Sequence, residues 1–388
     1  MNEKDAFLVL NMLAKIGPVT VIRLLKEYGS AAAILKEKPA TLELFPADGE
    51  HFHKGDSPLV LIRNWQNRIN LSRELKLIEK NDIDILTLKC SSYPGLLKEI
   101  PDPPIVLYIK GHHQVFQNDF LSIVGSRKTS DYGVQTTSKI ATSLALNGIG
   151  VISGGARGID TAAHWATVHA NGISICVLGH GMGQTYPAEN EALYGKLAEK
   201  GAVITQFPYD RKGDRQTFPI RNRIVAGLTM GTIVVEASLA SGAMITAQMA
   251  LDYNREVYAV PGTYGSTNSQ GCHQLIRDGA TLLDSMEPII QNSRQLFPNS
   301  TKISISQKPQ KTAQKMVSNE NSFRFIESSL EPNQQCILKI LGPNPIQLDQ
   351  IVQQSQLPVP IVQVALLKLE MLDLITSHAG NNFSQNFK

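Results

Sequence analysis

GVISGGARGID, residues 150–160, is a short apolar run that ends in a glycine-rich turn and leads into an amphipathic stretch. The same order recurs through the middle of the chain. Strand-like runs that alternate with helical patterns form parallel sheets covered by helices on both faces. The sequence therefore predicts an α/β fold with a parallel sheet. Its strands are expected at 121–124, 150–152, 173–178, 202–204, 232–235 and 257–260.

The turns that follow these runs are built from small residues. In open parallel sheets, ligands bind beyond the carboxyl ends of the strands. A glycine turn before a helix also offers N–H groups to an anion, and the helix dipole adds to the attraction. We therefore expect a binding site at this edge of the sheet. Its turns are Gly125-Ser126-Arg127, Ser153-Gly154-Gly155-Ala156-Arg157, Gly179-His180-Gly181, Glu236-Ala237-Ser238 and Pro261-Gly262.

A basic segment, FPIRNR, occupies residues 218–223. Between Arg211 and Arg223 there are five basic residues and one acidic residue, Asp214. Guanidinium groups fit phosphate oxygens in two-point contacts, and a phenylalanine ring can stack on a base. Taken alone, the hexamer also fits a solvated, salt-bridged loop around a core phenylalanine. Its proximity to the glycine turns favours a binding role.

Composition limits the remaining possibilities. The 388 residues predict two or three domains, and the net charge of +3 says little about partners. There is no apolar run near the roughly 20 residues of a membrane span, and the N-terminus lacks a secretory pattern, so we expect a cytoplasmic protein. The four cysteines are widely spaced without a CxxC pair, which argues against a zinc site or a disulfide framework.

Motifs for catalysis are missing from the sequence. It has no P-loop, no G-x-S-x-G elbow, no H-E-x-x-H and no dinucleotide fingerprint. Asp160 and His164 could bind a metal, but a helix-start cap with a packing histidine is favoured. Glu236 is expected to orient the guanidinium of Arg221 or Arg223, or else to act on a ribose or base. We predict no catalytic residue, no metal and no cofactor.

The organisation along the chain predicts four segments. Residues 1–80 have a helical pattern with a Gly-Pro turn at 17–18, and residues 81–290 contain the sheet. Residues 291–330 are rich in Gln, Ser, Asn and Lys, and their six basic and two acidic residues give a net charge of +4, which predicts a flexible linker. Residues 331–388 predict three short helices and a hairpin, the pattern of a winged-helix domain.

The chain resembles the DNA processing protein A family (DprA, also called Smf) over residues 93–285. The resemblance implies an extended Rossmann-like domain that binds single-stranded DNA without hydrolysing it, forms a homodimer, protects incoming DNA and loads the RecA recombinase during natural transformation. It is carried by Tyr93-Pro94-Gly95-Leu96-Leu97, Pro103-Pro104-Ile105-Val106-Leu107-Tyr108, Ile123-Val124-Gly125-Ser126-Arg127, Ser153 to Asp160, Tyr186-Pro187, Phe218 to Arg223, Ser241-Gly242, Thr246-Ala247, Ala259-Val260-Pro261-Gly262 and Gly279-Ala280.

The family's binding residues can be transferred by position. The resemblance implies that two turns hold phosphates, that three arginines line a basic pocket, and that Phe218 stacks on a base. It also implies a SAM-like or helix-hairpin-helix domain at the N-terminus. The predicted DNA-binding residues are Gly125, Ser126, Arg127, Ser153, Gly154, Gly155, Arg157, Arg215, Phe218, Arg221, Asn222, Arg223, Ser241 and Gly242.

Two departures from the family pattern and one alternative function stay open. Gln206 stands where the family usually has Glu, and residues 180–184 differ from the usual Gly-Leu-Asp. The alternative is a Rossmann-like nucleotide or riboside hydrolase. Such enzymes carry G-G-x-G-T-x-x-E, whereas this chain has Gly231-Thr232-Ile233-Val234-Val235-Glu236, without the paired glycines.

The charge of the winged-helix segment generates a first prediction. Between residues 333 and 378 there are two basic and three acidic residues, and the expected recognition helix, 360–372, carries Lys368 as its only cation. Helices that read duplex DNA normally neutralise several phosphates. We expect a fragment of residues 331–388 to leave duplex DNA unbound at moderate salt in fluorescence anisotropy, as a protein-contact module would. Binding of the duplex by this fragment would contradict that role.

Overall fold

The structure is a computed structural model that describes residues 1–37, 58–289, 332–342, 345–371, 374–378 and 380–385. The predicted linker, residues 291–330, lies outside the described residues. The chain divides into two compact units, Met1–Ser306 and Gln307–Lys388, and each is described by itself.

The first unit alternates strands and helices after a helical start. Its helices are α1 (Glu3–Met12), α2 (Pro18–Tyr28), α3 (Ala31–Glu37), α4 (Pro58–Arg63), α5 (Leu71–Lys80), α6 (Gly95–Lys98), α7 (Asp131–Leu146), α8 (Ile159–His169), α9 (Glu191–Lys200), α10 (Thr217–Gly227), α11 (Gly242–Asp252) and α12 (Gln270–Arg277). Its strands are β1 (Asp84–Thr87), β2 (Val106–Gly111), β3 (Phe120–Val124), β4 (Gly150–Ser153), β5 (Ser174–Val177), β6 (Ala202–Thr205), β7 (Gly231–Val234), β8 (Glu256–Ala259) and β9 (Thr281–Leu282).

The strands form one mostly parallel sheet, in the order β1-β2-β6-β5-β4-β3-β7-β8-β9. All neighbours from β6 to β9 are parallel, which confirms the six predicted strands and the α/β class. β1 and β2 form one edge of the sheet. β2 pairs antiparallel with β6, and β1 pairs antiparallel with β2. From β3 the chain builds outward through β4, β5 and β6, then returns to place β7 on the other side of β3.

Alternation along the strands buries apolar side chains on both faces of the sheet. In β3, Leu121 and Ile123 pack in one hydrophobic cluster, whereas Phe120 and Val124 pack in the other. All residues of β3 to β7 are buried. Full burial of such a side chain stabilises the fold by about 1.5–3 kcal/mol. The apolar runs are therefore near-continuous because both faces are covered.

The N-terminal helices pack on the antiparallel edge of this sheet. Phe7 and Leu10 of α1 share a hydrophobic cluster with Ile85 of β1 and with Val106 and Tyr108 of β2. The predicted Gly-Pro turn is the start of α2, where Gly17 is the N-cap and Pro18 is the first helical residue. The boundary near residue 80 stays a prediction. Across the described part of the chain, no helix is both long and apolar enough to cross a membrane.

The second unit has the winged-helix arrangement that was predicted. Its helices, α13 (Pro332–Ile340), α14 (Leu348–Ser355) and α15 (Val359–Met371), enclose Ile337, Ile351, Val362 and Leu366. Its strands, β10 (Ile346–Gln347), β11 (Ile375–His378) and β12 (Asn382–Gln385), form an antiparallel sheet in the order β10-β12-β11.

A buried histidine of α8 packs against strands β4 and β5. His164 is fully buried, and its Nδ1 lies 2.8 Å from the Ser174 hydroxyl, which donates to the Val151 carbonyl oxygen at 2.9 Å. This confirms the packing interpretation of His164. Burial, assisted by the positive charge of Arg221, lowers the pKa of His164 to about 3.

This pKa predicts a pH-dependent stability. The folded-state pKa of His164 lies below the unfolded value of about 6.5, so protons favour the unfolded chain as the pH falls below that value. We expect His164 alone to reduce the free energy of unfolding by up to about 2 kcal/mol at about pH 5 relative to pH 7. Urea denaturation of wild type and His164→Gln at both pH values measures the difference.

The exposed His169 on the same helix supplies the control. His169→Gln should keep the wild-type pH dependence, whereas His164→Gln should flatten it. Parallel pH profiles for wild type and His164→Gln would contradict the assignment.

Candidate nucleic-acid interface

An open cleft of about 620 Å³ lies at the carboxyl edge of the sheet, above β3 and β7. This is the topological switch point, because the connection after β3 leads to β4 and the connection after β7 leads in the opposite direction to β8. Open α/β sheets bind their ligands at such a point. We call it the switch-point cleft. Nine of the fourteen predicted DNA-binding residues line it. They are Gly125, Ser126, Arg127, Arg215, Phe218, Arg221, Asn222, Ser241 and Gly242.

The glycine turn after β4 is occupied by a carboxylate of the chain itself. Asp160 Oδ2 accepts from the Gly154 N–H at 3.1 Å and from the Ala156 N–H at 3.3 Å. The Ser153 hydroxyl donates to the Ile123 carbonyl oxygen, and the Gly155 carbonyl oxygen accepts from the Asn190 side chain. The expected anion cradle thus exists, but an internal anion occupies it, so the Gly154 and Ala156 N–H groups are not offered to a ligand.

The buried guanidinium of Arg221 fits the space that Gly154 leaves. A Cβ atom at Gly154 would lie 1.3 Å from Arg221 Nη1. Arg221 is only 5% exposed. Burial lowers the pKa of its guanidinium, and the negative charge of Asp160 partly offsets that lowering. Burial also raises the pKa of Asp160, which Arg221 counteracts. Each charge therefore helps its neighbour to stay ionised away from water.

Two buried polar atoms of the cleft residues have no hydrogen-bond partner among the described residues. They are Nε of Arg221 and the hydroxyl oxygen of Ser241, the N-cap residue of α11. The Asn222 side chain donates to the Gly242 carbonyl oxygen at 3.3 Å and links α10 to the start of α11. Because buried polar atoms are nearly always paired, this part of the cleft suits a ligand with negatively charged oxygens.

Arg223 lies outside the cleft, which corrects the expectation that it lines the pocket with Arg221. Its guanidinium donates to the Asp102 carbonyl oxygen and to Oε1 of Gln206, and its Nε lies 3.3 Å from the Asp102 carboxylate. The reason is that FPIRNR belongs to α10, where residues two apart point about 200° away from each other. Gln206, the departure from the family pattern, is thus a partner of Arg223.

The cations at the mouth of the cleft are exposed. Arg127 and Lys128 follow β3, and Arg215 precedes α10. Within the part of the chain that the structure describes, no carboxylate lies within 4 Å of these three side chains. The Arg127 guanidinium lies over the Phe218 ring, 5.5 Å from its centre. The mouth therefore carries positive charge that the described protein leaves unneutralised.

Arg157 lies elsewhere on this edge, on the exposed surface of the glycine turn. It forms a two-point contact with Glu189, through its Nε and at 3.1 Å through its Nη2. Both partners are more than half exposed, so this pair is weak and open to competition from a ligand.

Glu236 does not orient a guanidinium, and that expectation was wrong. Its carboxylate accepts from the Ser130 N–H at 2.9 Å, from the Thr129 hydroxyl at 2.7 Å and from the Ser130 hydroxyl. Because β7 is parallel to β3, the segment that follows β7 faces the turn after β3, and Glu236 in that segment fixes the start of α7. The carboxylate of Asp160, which lines the cleft, and that of Glu236 are therefore both engaged in holding turns.

Sequence reasoning missed the residues that hold the cationic loop 206–216. Glu74 of α5, only 5% exposed, accepts from the Tyr209 N–H at 2.8 Å. Asn11 of α1 donates to the Gln206 carbonyl oxygen at 2.9 Å. These contacts join residues more than 130 positions apart, and no local pattern indicates them.

Fold and site together define a class of protein. Its members combine an α/β sheet, which carries a cationic, partly aromatic cleft at the switch point, with a winged-helix unit that follows in the chain. The family model described as DNA recombination-mediator protein A matches residues 84–294, and the model of the DprA winged helix domain matches residues 326–381. The chain belongs to the DNA recombination-mediator protein A family, also known as DprA or Smf.

Individual relatives support this membership over most of the chain. Protein Smf of Synechocystis is 31% identical over 99% of each chain, and Protein Smf of Escherichia coli is 33% identical over 81% of this chain and 80% of its own. The X-ray structure of DNA processing protein A from Streptococcus pneumoniae matches with a TM-score of 0.64 and 28% identity, covering 74% of this chain and 97% of its own.

A structure of DNA processing protein A from Helicobacter pylori matches with a TM-score of 0.50 and 26% identity, covering 55% of this chain and 96% of its own. That study describes a single-stranded DNA binding mode of the Helicobacter protein.

The fit between Gly154 and Arg221 generates a prediction. Gly154→Ala places a methyl group on the guanidinium and is expected to reduce the free energy of unfolding by about 1–3 kcal/mol in urea denaturation, as overpacking does. In an Arg221→Ala background the same change should cost much less, since the collision is gone. Gly195→Ala on α9, where a Cβ meets nothing within 4 Å, is the control. Additive losses in the double variant would contradict the contact.

Proposed function

We propose that this chain binds single-stranded DNA in the switch-point cleft and acts as a recombination mediator. The observation that carries the proposal is the unneutralised charge of Arg127, Lys128 and Arg215 around the buried Arg221. Phosphates of a nucleic acid backbone match such cations, and neutralising them releases counterions. Family membership and the single-stranded DNA binding mode described for the Helicobacter relative support the same ligand.

Aromatic side chains beside the cations favour a single strand over a duplex. The Phe218 ring lies at the cleft wall, and the Tyr186 ring is centred 5.7 Å from it. Stacking on an exposed aromatic ring needs bases that are free of a duplex, and it tolerates every base. We therefore infer binding without sequence preference.

The alternative, a nucleotide or riboside hydrolase, needs a general acid or base at the cleft. Asp160 lines the cleft, and Glu236 follows β7 at the same edge of the sheet. Both accept hydrogen bonds from backbone N–H groups, and Glu236 also accepts from hydroxyl groups. These contacts favour holding DNA over cleaving a glycosidic bond.

The proposal extends to the partners expected of a mediator. The chain would act as a homodimer that protects incoming DNA and loads the RecA recombinase during natural transformation. The family's description as a recombination mediator supports this role. RecA strand exchange on DNA coated with single-strand binding protein tests the loading, and sedimentation velocity tests the dimer.

Arg127→Ala tests the binding mode. Loss of one charge-assisted phosphate contact is expected to weaken oligonucleotide binding about 10-fold, equally for dT, dA and mixed sequences. The logarithmic salt dependence of binding should become shallower by roughly 0.7. Fluorescence anisotropy over a salt series measures both quantities.

Lys200→Ala is the matched control, because Lys200 is an exposed cation at the end of α9, on the amino edge of the sheet. It should leave affinity and salt dependence unchanged. A loss confined to one base sequence after Arg127→Ala would contradict a phosphate contact. Release of free base from nucleotides by the wild-type protein would favour the hydrolase instead.

A further inference from the structure

We propose that Tyr186 forms a nucleobase-stacking subsite beside the switch-point cleft, on the path that a bound strand takes toward the glycine turn. The proposal rests on the proposed function, because it assigns a subsite for the same single-stranded DNA. It transfers the base-stacking role from Phe218, the residue expected from the sequence, to a tyrosine outside the predicted set.

The Phe218 ring is partly covered by protein. A Cβ atom at Gly179 would lie 2.6 Å from Phe218 Cδ1, so the ring packs closely on that glycine. The Arg127 guanidinium lies over the ring, 5.5 Å from its centre. On the face that Arg127 covers, a base could stack only after Arg127 had moved away. Phe218 is therefore better placed as a support than as the stacking surface.

Tyr186 offers the open aromatic surface at this position. Its ring is centred 5.7 Å from Phe218 at an interplanar angle of 48°, and the side chain is 47% exposed. One side is thus backed by the cleft wall, while the rest faces solvent. An aromatic ring that is half-exposed next to unneutralised cations matches the combination by which proteins hold single strands.

The backbone at Tyr186 is held in place before any ligand arrives. Its carbonyl oxygen accepts from the Tyr194 hydroxyl at 2.9 Å, and Tyr194 is anchored in α9. The same hydroxyl lies 3.4 Å from the Gly155 carbonyl oxygen. Because this backbone is already fixed, less conformational entropy is lost when a base stacks on the Tyr186 ring.

These contacts also give the subsite a direction. Through Phe218, Tyr186 adjoins the cleft that holds Arg127, and through Tyr194 it adjoins the glycine turn that carries Arg157. A strand that left the cleft across Tyr186 would bring its next phosphates toward Arg157, whose exposed pair with Glu189 is weak enough to exchange.

The test compares an oligo-dT with an abasic oligonucleotide of the same length, bound to the full chain and followed by anisotropy. Tyr186→Ala is expected to weaken oligo-dT binding about 5- to 150-fold, the range of one stacked base, with an unchanged salt dependence. Binding of the abasic strand should stay at its wild-type value. Tyr186→Phe should restore oligo-dT binding, because it retains the ring.

Tyr132→Ala is the control, since Tyr132 is 49% exposed but lines a different pocket between α7 and Leu283. It should leave both affinities unchanged. If Tyr186→Ala does not fold, Tyr186→Leu tests the same point, because leucine keeps an apolar side chain without an aromatic face.

Equal losses for oligo-dT and the abasic strand would overturn the subsite, and so would an unchanged affinity for oligo-dT. In both cases binding by the wild type and its weakening by Arg127→Ala would leave the proposed function standing. Failure of the wild type to bind oligo-dT at all would instead remove the proposed function.

Discussion

The fit of the Arg221 guanidinium into the space beside Gly154 is the constraint on which the rest of the site depends. A charge buried this deeply is unfavourable unless another charge lies near it, and Asp160 supplies that charge. Asp160 is in turn held by the N–H groups of the glycine turn. Strand β4, its turn, the start of α8 and helix α10 are thereby fixed relative to one another.

This arrangement makes the electrostatic potential of the cleft positive. The carboxylates of Asp160 and Glu236 accept from backbone and hydroxyl donors, Asp160 at the turn after β4 and Glu236 at the start of α7. The cations Arg127, Lys128 and Arg215 are left without such partners among the described residues. A potential that attracts phosphates thus arises from the placement of charges, in a chain whose net charge is only +3.

Much of the fold could be predicted from the sequence, because buried parallel strands leave near-continuous apolar runs that end in small residues. The cleft could be located for the same reason, since the topology brings those ends together. The orientation of single side chains could not. Arg221 and Arg223 look equivalent in FPIRNR, and only the helical phase of α10 separates a cleft residue from a partner of Asp102.

The remaining differences come from contacts between distant parts of the chain. Glu236 was expected to face an arginine, but the parallel pairing of β3 and β7 brings it to Ser130 instead. Tyr186 was noted only as part of a family motif, because its exposure and its position beside Phe218 exist only after folding.

The anchoring of loop 206–216 on the N-terminal helices limits how this protein can be divided. The Tyr209 N–H depends on the buried carboxylate of Glu74, and Tyr108 of the sheet packs in the same apolar cluster as helix α1. Cutting the chain near residue 80 would leave that N–H without its acceptor and expose the cluster to water. In this chain the helical region is therefore built into the first unit, and a fragment that began near residue 80 would lose both supports.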